Sequence, residues 1–299
     1  MRYSYLHPFS PQFFFQMECI KHSQFQTFYQ PYTRFGSISW WLWRNFSAYR
    51  KLFSKQSIEE YIPESQLREI LGSNAILALN SGTVGPEQKI TIIGKDGNNS
   101  FFFKYAQTDT AIRLVENEFS VLNSLKDYKI APAIFDHITG KGFSCIKTEL
   151  LEGKRVANDQ VNDQILHLIR KISSLKPQSC DDELSDNQRR FAHGDFCPWN
   201  LMIVGGELKA FDWEMAGYYP RGYDLFTYIF QTSFLLYPKR RIDDMLSHNS
   251  KYIQQFFGSK DWKGYLRSFA EIKLQQESDL NKRKLGPYYN QLLDYAKRT

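Results

Sequence analysis

The sequence predicts an α+β protein in which a small, mainly antiparallel β lobe carrying one helix precedes a larger, mainly α lobe. Three observations carry this. Strand-like runs and tight turns crowd between residues 76 and 151, one amphipathic helix interrupts them, and beyond about 154 the pattern is helical except for a single hairpin. With 299 residues, 42% of them apolar, the chain is long enough to bury the cores of two lobes. The expected boundaries are an aromatic and basic helical leader over 1–60, a first lobe over 61–153 and a second over 154–299.

In the leader, aromatic and basic residues interleave at ragged helical spacing after Ser37, which predicts one or two amphipathic helices. Two readings are open for it. Trp40, Trp41, Trp43, Phe46 and Phe53 pack on the rest of the protein, or residues 37–53 lie on an anionic membrane surface with Arg44, Arg50 and Lys51 toward the headgroups. A short helix follows at Ser65–Leu71. Strands are then predicted at ILAL (76–79), KITIIG and FFFKYA, punctuated by SGTVGPEQ and by the tight turn GKDGNN. Ile112, Val115, Phe119, Leu122 and Leu125 recur at helical spacing and mark the helix of this lobe. Ala133–His137 and Phe143–Leu151 supply two more strands, and a helix runs from about Val161 to Leu175. Beyond it only HGDFCPWNLMIVGGELKAFDWE departs from helix, with NLMIV and LKAFDW as hairpin arms around Gly205-Gly206.

Composition excludes several classes. Aromatics reach 16% but are dispersed among charges, and no apolar run approaches the ~20 residues of a membrane-spanning helix. The N-terminal twenty residues lack the pattern of a secretory signal, so a cytoplasmic location is expected, with peripheral membrane contact as the variant the leader allows. Cys19, Cys145, Cys180 and Cys197 are widely spaced without a metal-type pattern and are expected as reduced thiols. No nucleic-acid partner is expected. The net charge of +6 is mild, and its excess sits from Arg221 onward, where 14 Lys/Arg face 8 Asp/Glu. An anionic partner or a solvated basic helix face explains that bias.

One constellation carries chemistry. Phosphoryl transfer from ATP requires a cation on the phosphates, oxygen ligands for Mg²⁺ and a carboxylate that orients the attacking hydroxyl. Asp195 follows His193-Gly194 and precedes Asn200 by five positions, so a tight loop can present the carboxylate as a base while the Asn200 amide oxygen turns to a metal. Asp212, at the end of the strand LKAF, offers a second hard oxygen to the same Mg²⁺. Lys104 stands in the strand FFFKYA and can reach the α- and β-phosphates. Glu118 on the next helix is its expected ion-pair partner, because Glu116 points about 200° away from it on a helix turning ~100° per residue. Ser81, Gly82 and Thr83 open a glycine-bearing loop between two strands that suits phosphates as well as it suits any hairpin turn. His193 is expected to orient the loop carrying Asp195, and Asp224 to cap or brace the helix DLFTYIF.

HGDFCPWN followed by FDWE resembles the aminoglycoside phosphotransferase and choline kinase superfamily, whose members share the protein-kinase-like fold. The resemblance spans roughly Ile76 to Phe230 and is strongest from Phe191 to Leu225. It implies Asp195 as catalytic base, Asn200 and Asp212 as Mg²⁺ ligands, and Lys104 with Glu118 as the phosphate-binding ion pair. It also implies that TELLEG, Thr148 to Gly153, links the lobes, with backbone groups of Glu149 to Leu151 meeting adenine. SGTVGP departs from known glycine-loop patterns, and the leader lies outside the family core. The expected activity is ATP- and Mg²⁺-dependent phosphorylation of a hydroxyl on a small molecule, with a neutral or anionic sugar-type acceptor favoured. A catalytically silent kinase-like module is the alternative, although every polar position expected for catalysis is present. HGD with DWE, rather than HRD with DFG, argues against a protein kinase.

Overall fold

The computed structural model describes residues 2–7, 11–29, 31, 34–156, 159–177, 189–258, 261–279 and 284–298. The chain divides into two compact units, one comprising Met1–Phe119 with Ala133–Glu152, the other Ser120–Pro132 with Gly153–Thr299.

The first unit is built on one sheet. Its strands are β1 (Tyr3–Tyr5), β2 (Phe13–Gln16), β3 (Ser54–Lys55), β4 (Ile76–Asn80), β5 (Lys89–Asp96), β6 (Asn99–Ala106), β7 (Ile134–Gly140) and β8 (Phe143–Glu149). They pair antiparallel throughout in the order β3-β1-β2-β4-β5-β6-β8-β7. The helices are α1 (Arg34–Asn45), α2 (Ser47–Leu52), α3 (Glu64–Leu71) and α4 (Asp109–Leu125), whose last residues belong to the second unit.

Alternation along the strands feeds two cores. Phe14, Leu77, Leu79, Ile90, Ile92, Phe101, Phe103 and Tyr105 face one side, packed with Leu67 and Leu71 of α3. Phe15, Ala78 and Ile93 face the other, against Trp40 and Trp43 of α1. The indole N–H of Trp43 donates to Ser4 Oγ at 2.7 Å, and that hydroxyl donates to the Phe15 carbonyl, so the buried polar atoms are satisfied. At about 1.5–3 kcal/mol for each large apolar side chain buried, Phe14, Phe15, Trp40 and Trp43 together make the N-terminal segment a main contributor to this unit's stability.

The helical leader expected over 1–60 is therefore partly strand. β1, β2 and β3 extend the sheet, and two short 3₁₀ turns lie at Met17–Lys21 and Ser23–Thr27. The run Phe13-Phe14-Phe15 conceals its strand because both faces are buried, leaving no polar alternation to read. The two readings of the leader's aromatics also divide. Trp40 and Trp43 are buried, whereas Trp41 and Phe46 are exposed.

The second unit holds β9 (Lys154–Arg155), α5 (Asp163–Ser173), β10 (Arg189–Ala192), β11 (Leu201–Val204), β12 (Glu207–Ala210), β13 (Gly217–Pro220), α6 (Tyr223–Phe226), α7 (Thr232–Leu236), α8 (Ile242–Phe257), α9 (Trp262–Asp279) and α10 (Gly286–Arg298). Asn162 caps α5, accepting from the Ile165 N–H at 2.9 Å. A π-helical turn over Thr227–Gln231 joins α6 to α7. Phe226, Phe230, Phe257, Phe269 and Tyr289 pack ring against ring between α6, this turn and α8–α10. The expected hairpin around Gly205-Gly206 forms as β11–β12, but β10 and β13, just outside the non-helical stretch, are strands where helix was expected. β10 pairs with β13 and β9 with β11. These are strands of two to four residues, too short for alternation to register in the sequence.

Cys19, Cys145 and Cys197 are buried free thiols, and Cys180 lies outside the described residues. No described helix is long and apolar enough to cross a membrane.

Candidate active site

β10 runs into the loop His193–Cys197, which passes through a 3₁₀ turn at Pro198–Asn200 into β11. Gly194 makes the loop possible. Its φ is +85°, and a Cβ there would stand 2.1 Å from the Met215 carbonyl oxygen, so no side chain fits. Asp224 secures the loop from beneath. One carboxylate oxygen accepts from the His193 N–H at 2.8 Å and the other from the Gly194 N–H at 3.1 Å, and the side chain is 2% exposed. Asp224 thus braces the loop, while the N-cap position of its own helix is Gly222. Burial raises its carboxyl above the ordinary range, opposed by the neighbouring His193 and the two N–H groups.

The buried His193 ring has a defined tautomer. Nδ1 accepts from the Asp195 N–H at 3.3 Å, which makes Nε2 the protonated nitrogen that donates to the Phe211 carbonyl at 3.0 Å. One ring therefore ties the loop to the segment leading into Asp212.

Asp195 is partly exposed while Gly194, Phe196, Cys197 and Asn200 around it are buried. Its Oδ2 accepts from Asn200 Nδ2 at 3.0 Å, and the same amide group donates to the Asp195 backbone carbonyl at 2.9 Å. With the amide nitrogen committed to Asp195, the amide oxygen of Asn200 points elsewhere. Asp195 Oδ1 accepts from Gln231 Nε2 at 2.6 Å. Burial pushes the Cys197 thiol well above its ordinary value, with the Asp195 charge adding to the shift, so it stays protonated 3.8 Å from that same oxygen.

Asp212 follows at the end of the hairpin, where the Phe211 N–H donates to the Asn200 carbonyl at 3.0 Å. Asp212 adopts a left-handed conformation, φ 69° and ψ 55°, shared among the described non-glycine residues only by Lys129 as a positive φ. Strain of this kind collects where a side chain must be aimed. Asp212 and Asn200 together present a carboxylate and an amide oxygen, a donor set that suits Mg²⁺.

In the first unit, Lys104 Nζ donates to Glu118 Oε2 at 2.6 Å, both side chains under 10% exposed. Glu116 instead meets His137 and Ser144. The loop of Ser81, Gly82 and Thr83 lies between β4 and β5. Gly82 has a φ of +73°, its N–H donates to Asn80 Oδ1 at 3.0 Å, and Gln88 Nε2 donates to the Ser81 carbonyl at 2.9 Å. Glu149 closes β8, exchanging bonds with Ala133 through its own N–H and its carboxylate, and Leu151 follows, largely buried.

Two residues of this neighbourhood carry no expectation from the sequence. Gln231 is the amide in an otherwise apolar and hydroxyl-bearing run, TYIFQTSF. Lys273, the lone base within FAEIKLQQ, is 6% exposed, lies over the Tyr223 ring at 5.0 Å and reaches the Gly194 carbonyl at 3.5 Å. The available signal for Lys273 was a base four residues after Phe269, on the buried side of α9, whereas nothing in the sequence marked Gln231.

The fold is that of kinase-like phosphotransferases. A thermostable mutant of aminoglycoside phosphotransferase APH(4)-Ia superposes with a TM-score of 0.54 at 13% identity, over 79% of this chain and 98% of that one. The aminoglycoside phosphotransferase APH(3'')-Id of Streptomyces rimosus does so with 0.50 at 14% identity, over 69% and 96%. No curated protein sequence matches the chain. The model of the phosphotransferase enzyme family matches residues 146–241, the segment holding the Asp195 loop, Asp212, Asp224 and Gln231. The segment that carries the site therefore matches a family of phosphotransferase enzymes, as the fold does. In fold it resembles aminoglycoside phosphotransferases.

Proposed function

We propose that the protein transfers the γ-phosphoryl group of ATP to a hydroxyl of a neutral or anionic small molecule, in the first place a saccharide or saccharide-containing acceptor. The observation that carries the catalytic reading is the Asp195 carboxylate, partly exposed in a buried loop with both oxygens held by amide donors. Held in this way, it can accept a hydrogen bond from the acceptor hydroxyl and take its proton as the new P–O bond forms. His193 and Asp224 keep the loop in that conformation.

Asn200, through its amide oxygen, and Asp212, through its carboxylate, are the residues that would hold Mg²⁺. When bound, the ion supplies neutralisation of charge on the β- and γ-phosphate oxygens. Lys104, held by Glu118, would meet the α- and β-phosphates, with backbone groups from Ser81 to Thr83 covering phosphate and those of Glu149 to Leu151 meeting adenine. On this reading residues 61–153 serve the nucleotide, and residues 154–299 carry the catalytic loop, the metal ligands and the acceptor site.

The test is an ATP-consumption screen with purified protein over sugars, amino alcohols, nucleosides and aminoglycosides, with the phosphorylated product identified. On the acceptor so found, Asp195→Asn is expected to keep Mg-ATP affinity while turnover falls by about 10²–10⁴. Asp212→Ala is expected to weaken Mg-ATP binding itself. Full turnover in Asp195→Asn would overturn the assignment of the base.

A further inference from the structure

Helix α1 is apolar on two opposite faces. Gly36, Ser39, Trp40 and Trp43 are buried on one of them. On the other, Phe35, Ile38 and Trp41 follow one another at three-residue spacing, each more than half exposed. The stripe continues past the helix end. Trp41 lies edge-on to the exposed Phe46 at 5.2 Å, and Leu52 at the end of α2 is 74% exposed. Scattered single apolar residues on a surface need no explanation, but a connected row of large ones does.

Charge identifies what this row suits. From Cys19 to Ile58 the chain contains six Lys or Arg residues and not one Asp or Glu. Two of the six are engaged in the fold. Arg50 donates to the Trp43 carbonyl and rests over its ring, and Lys55 pairs with Glu60. Arg34, Arg44 and Lys51 are exposed alongside the apolar stripe. A second copy of this face would bring like charges together, which disfavours self-association through it. Aromatic and aliphatic side chains flanked by cations, with carboxylates excluded, suit a surface that is apolar beneath and anionic above.

We propose that the α1–α2 face docks on an anionic lipid bilayer, with Phe35, Ile38, Trp41, Phe46 and Leu52 entering the headgroup region and Arg34, Arg44 and Lys51 meeting lipid phosphates. The arrangement would hold the enzyme at a membrane surface without a spanning helix, and it is independent of the acceptor assigned above.

Flotation of the full chain with two kinds of vesicle tests this, phosphatidylcholine alone and phosphatidylcholine mixed with phosphatidylglycerol, each at low and moderate salt. Capture is expected on the mixed vesicles only, and it should weaken with salt. The triple variants Phe35→Ser/Ile38→Ser/Trp41→Ser and Arg34→Gln/Arg44→Gln/Lys51→Gln should each lower capture about tenfold or more while retaining the wild-type circular dichroism and melting temperature. Trp41→Phe should preserve capture but reduce tryptophan quenching by brominated acyl chains. Absence of capture on mixed vesicles would overturn the proposal, as would capture indifferent to both triple variants. Self-association or binding of an acidic protein that the serine variant abolishes, without vesicle binding, would assign the face to a protein partner instead.

Discussion

Gln231 Nε2 donates to Asp195 Oδ1 across 2.6 Å, so the carboxylate oxygen not held by Asn200 is also fixed in direction. Gln231 is itself held by the Tyr289 hydroxyl, which donates to its Oε1 at 3.3 Å. It is the last residue of the π-helical turn Thr227–Gln231. The extra residue of such a turn shifts the helical phase by roughly 100°, a distortion often found at functional sites. Gln231 is thereby a positioning residue for Asp195. Gln231→Leu, which keeps the side chain's bulk and removes the donor, is expected to lower kcat about tenfold or more, from the ~1.5–3 kcal/mol of a hydrogen bond to a charged group. KM for Mg-ATP should not change. Steady-state kinetics decide the matter, because a rise in KM for ATP at unchanged kcat would mean that Gln231 serves nucleotide binding and not the base.

The Lys104–Glu118 pair is buried on both sides, which makes the single and double variants informative in opposite ways. Lys104→Met or Glu118→Leu removes one half of this ion pair while the other charge stays buried, and is expected to cost about 3–5 kcal/mol in urea unfolding. The double variant removes both charges, so it should be more stable than either single one while still failing to bind ATP. Nucleotide affinity retained in the double variant would detach this pair from phosphate binding.

Much of this arrangement was legible in the sequence, and the gaps have physical causes. Asp195, Asn200 and Asp212 could be related by spacing alone because the loop and its hairpin are contiguous and the turn at Gly205-Gly206 fixes the return of the chain. Glu118 could be chosen over Glu116 because helical phase is a local property. β1 and β2 could not be read, since their Tyr3, Phe14 and Phe15 are buried on both sides of the sheet and pair with segments distant in the chain. Gln231 was equally hidden. Its contact depends on a π turn, which no residue pattern announces, and on a loop 36 residues away.

Asp224 makes a pH-dependent contribution whose sign can be worked out. Burial raises its folded-state pKa above that of the unfolded chain, so the folded protein keeps this proton to higher pH. Its contribution to stability is then fully present below the ordinary carboxylate range and is lost as pH rises through the raised value. Asp224→Asn has no such titration and loses one acceptor for the His193 or Gly194 N–H, at a cost of about 1–3 kcal/mol. Urea midpoints across the acid range should show the stability advantage of wild type over the variant shrinking as pH rises through this window. An advantage that grows with pH would mean that the two N–H donors outweigh burial.

The proposed neutral or anionic acceptor draws support from how two carboxylates of the second unit, Asp159 and Asp243, are engaged. A site that gathers an aminoglycoside polycation needs carboxylates free to meet ammonium groups, because like charges left facing each other in a desolvated site repel strongly. Here Asp159 is bound by Arg240 at 3.0 Å, and Asp243 by Arg241 at 3.3 Å. Of the other bases that tilt the region positive, Arg221 is spent structurally, donating to the Phe256 carbonyl and resting over the Phe256 and Phe257 rings. Lys239 and Lys284 are exposed, and Lys282 and Arg283 lie outside the described residues. The regional excess of cations is thus smaller at the surface than a count suggests, but two of the carboxylates that would have offset it, Asp159 and Asp243, are already paired. A neutral or anionic saccharide should therefore be turned over with a higher kcat/KM than kanamycin-like polycations. Any preference for an anionic acceptor should diminish between low and moderate salt, as surface fields do. Arg240→Gln, which releases Asp159, should improve the polycations relative to neutral sugars. A clear preference of the unmodified enzyme for polycations at both salt concentrations would refute the charge argument.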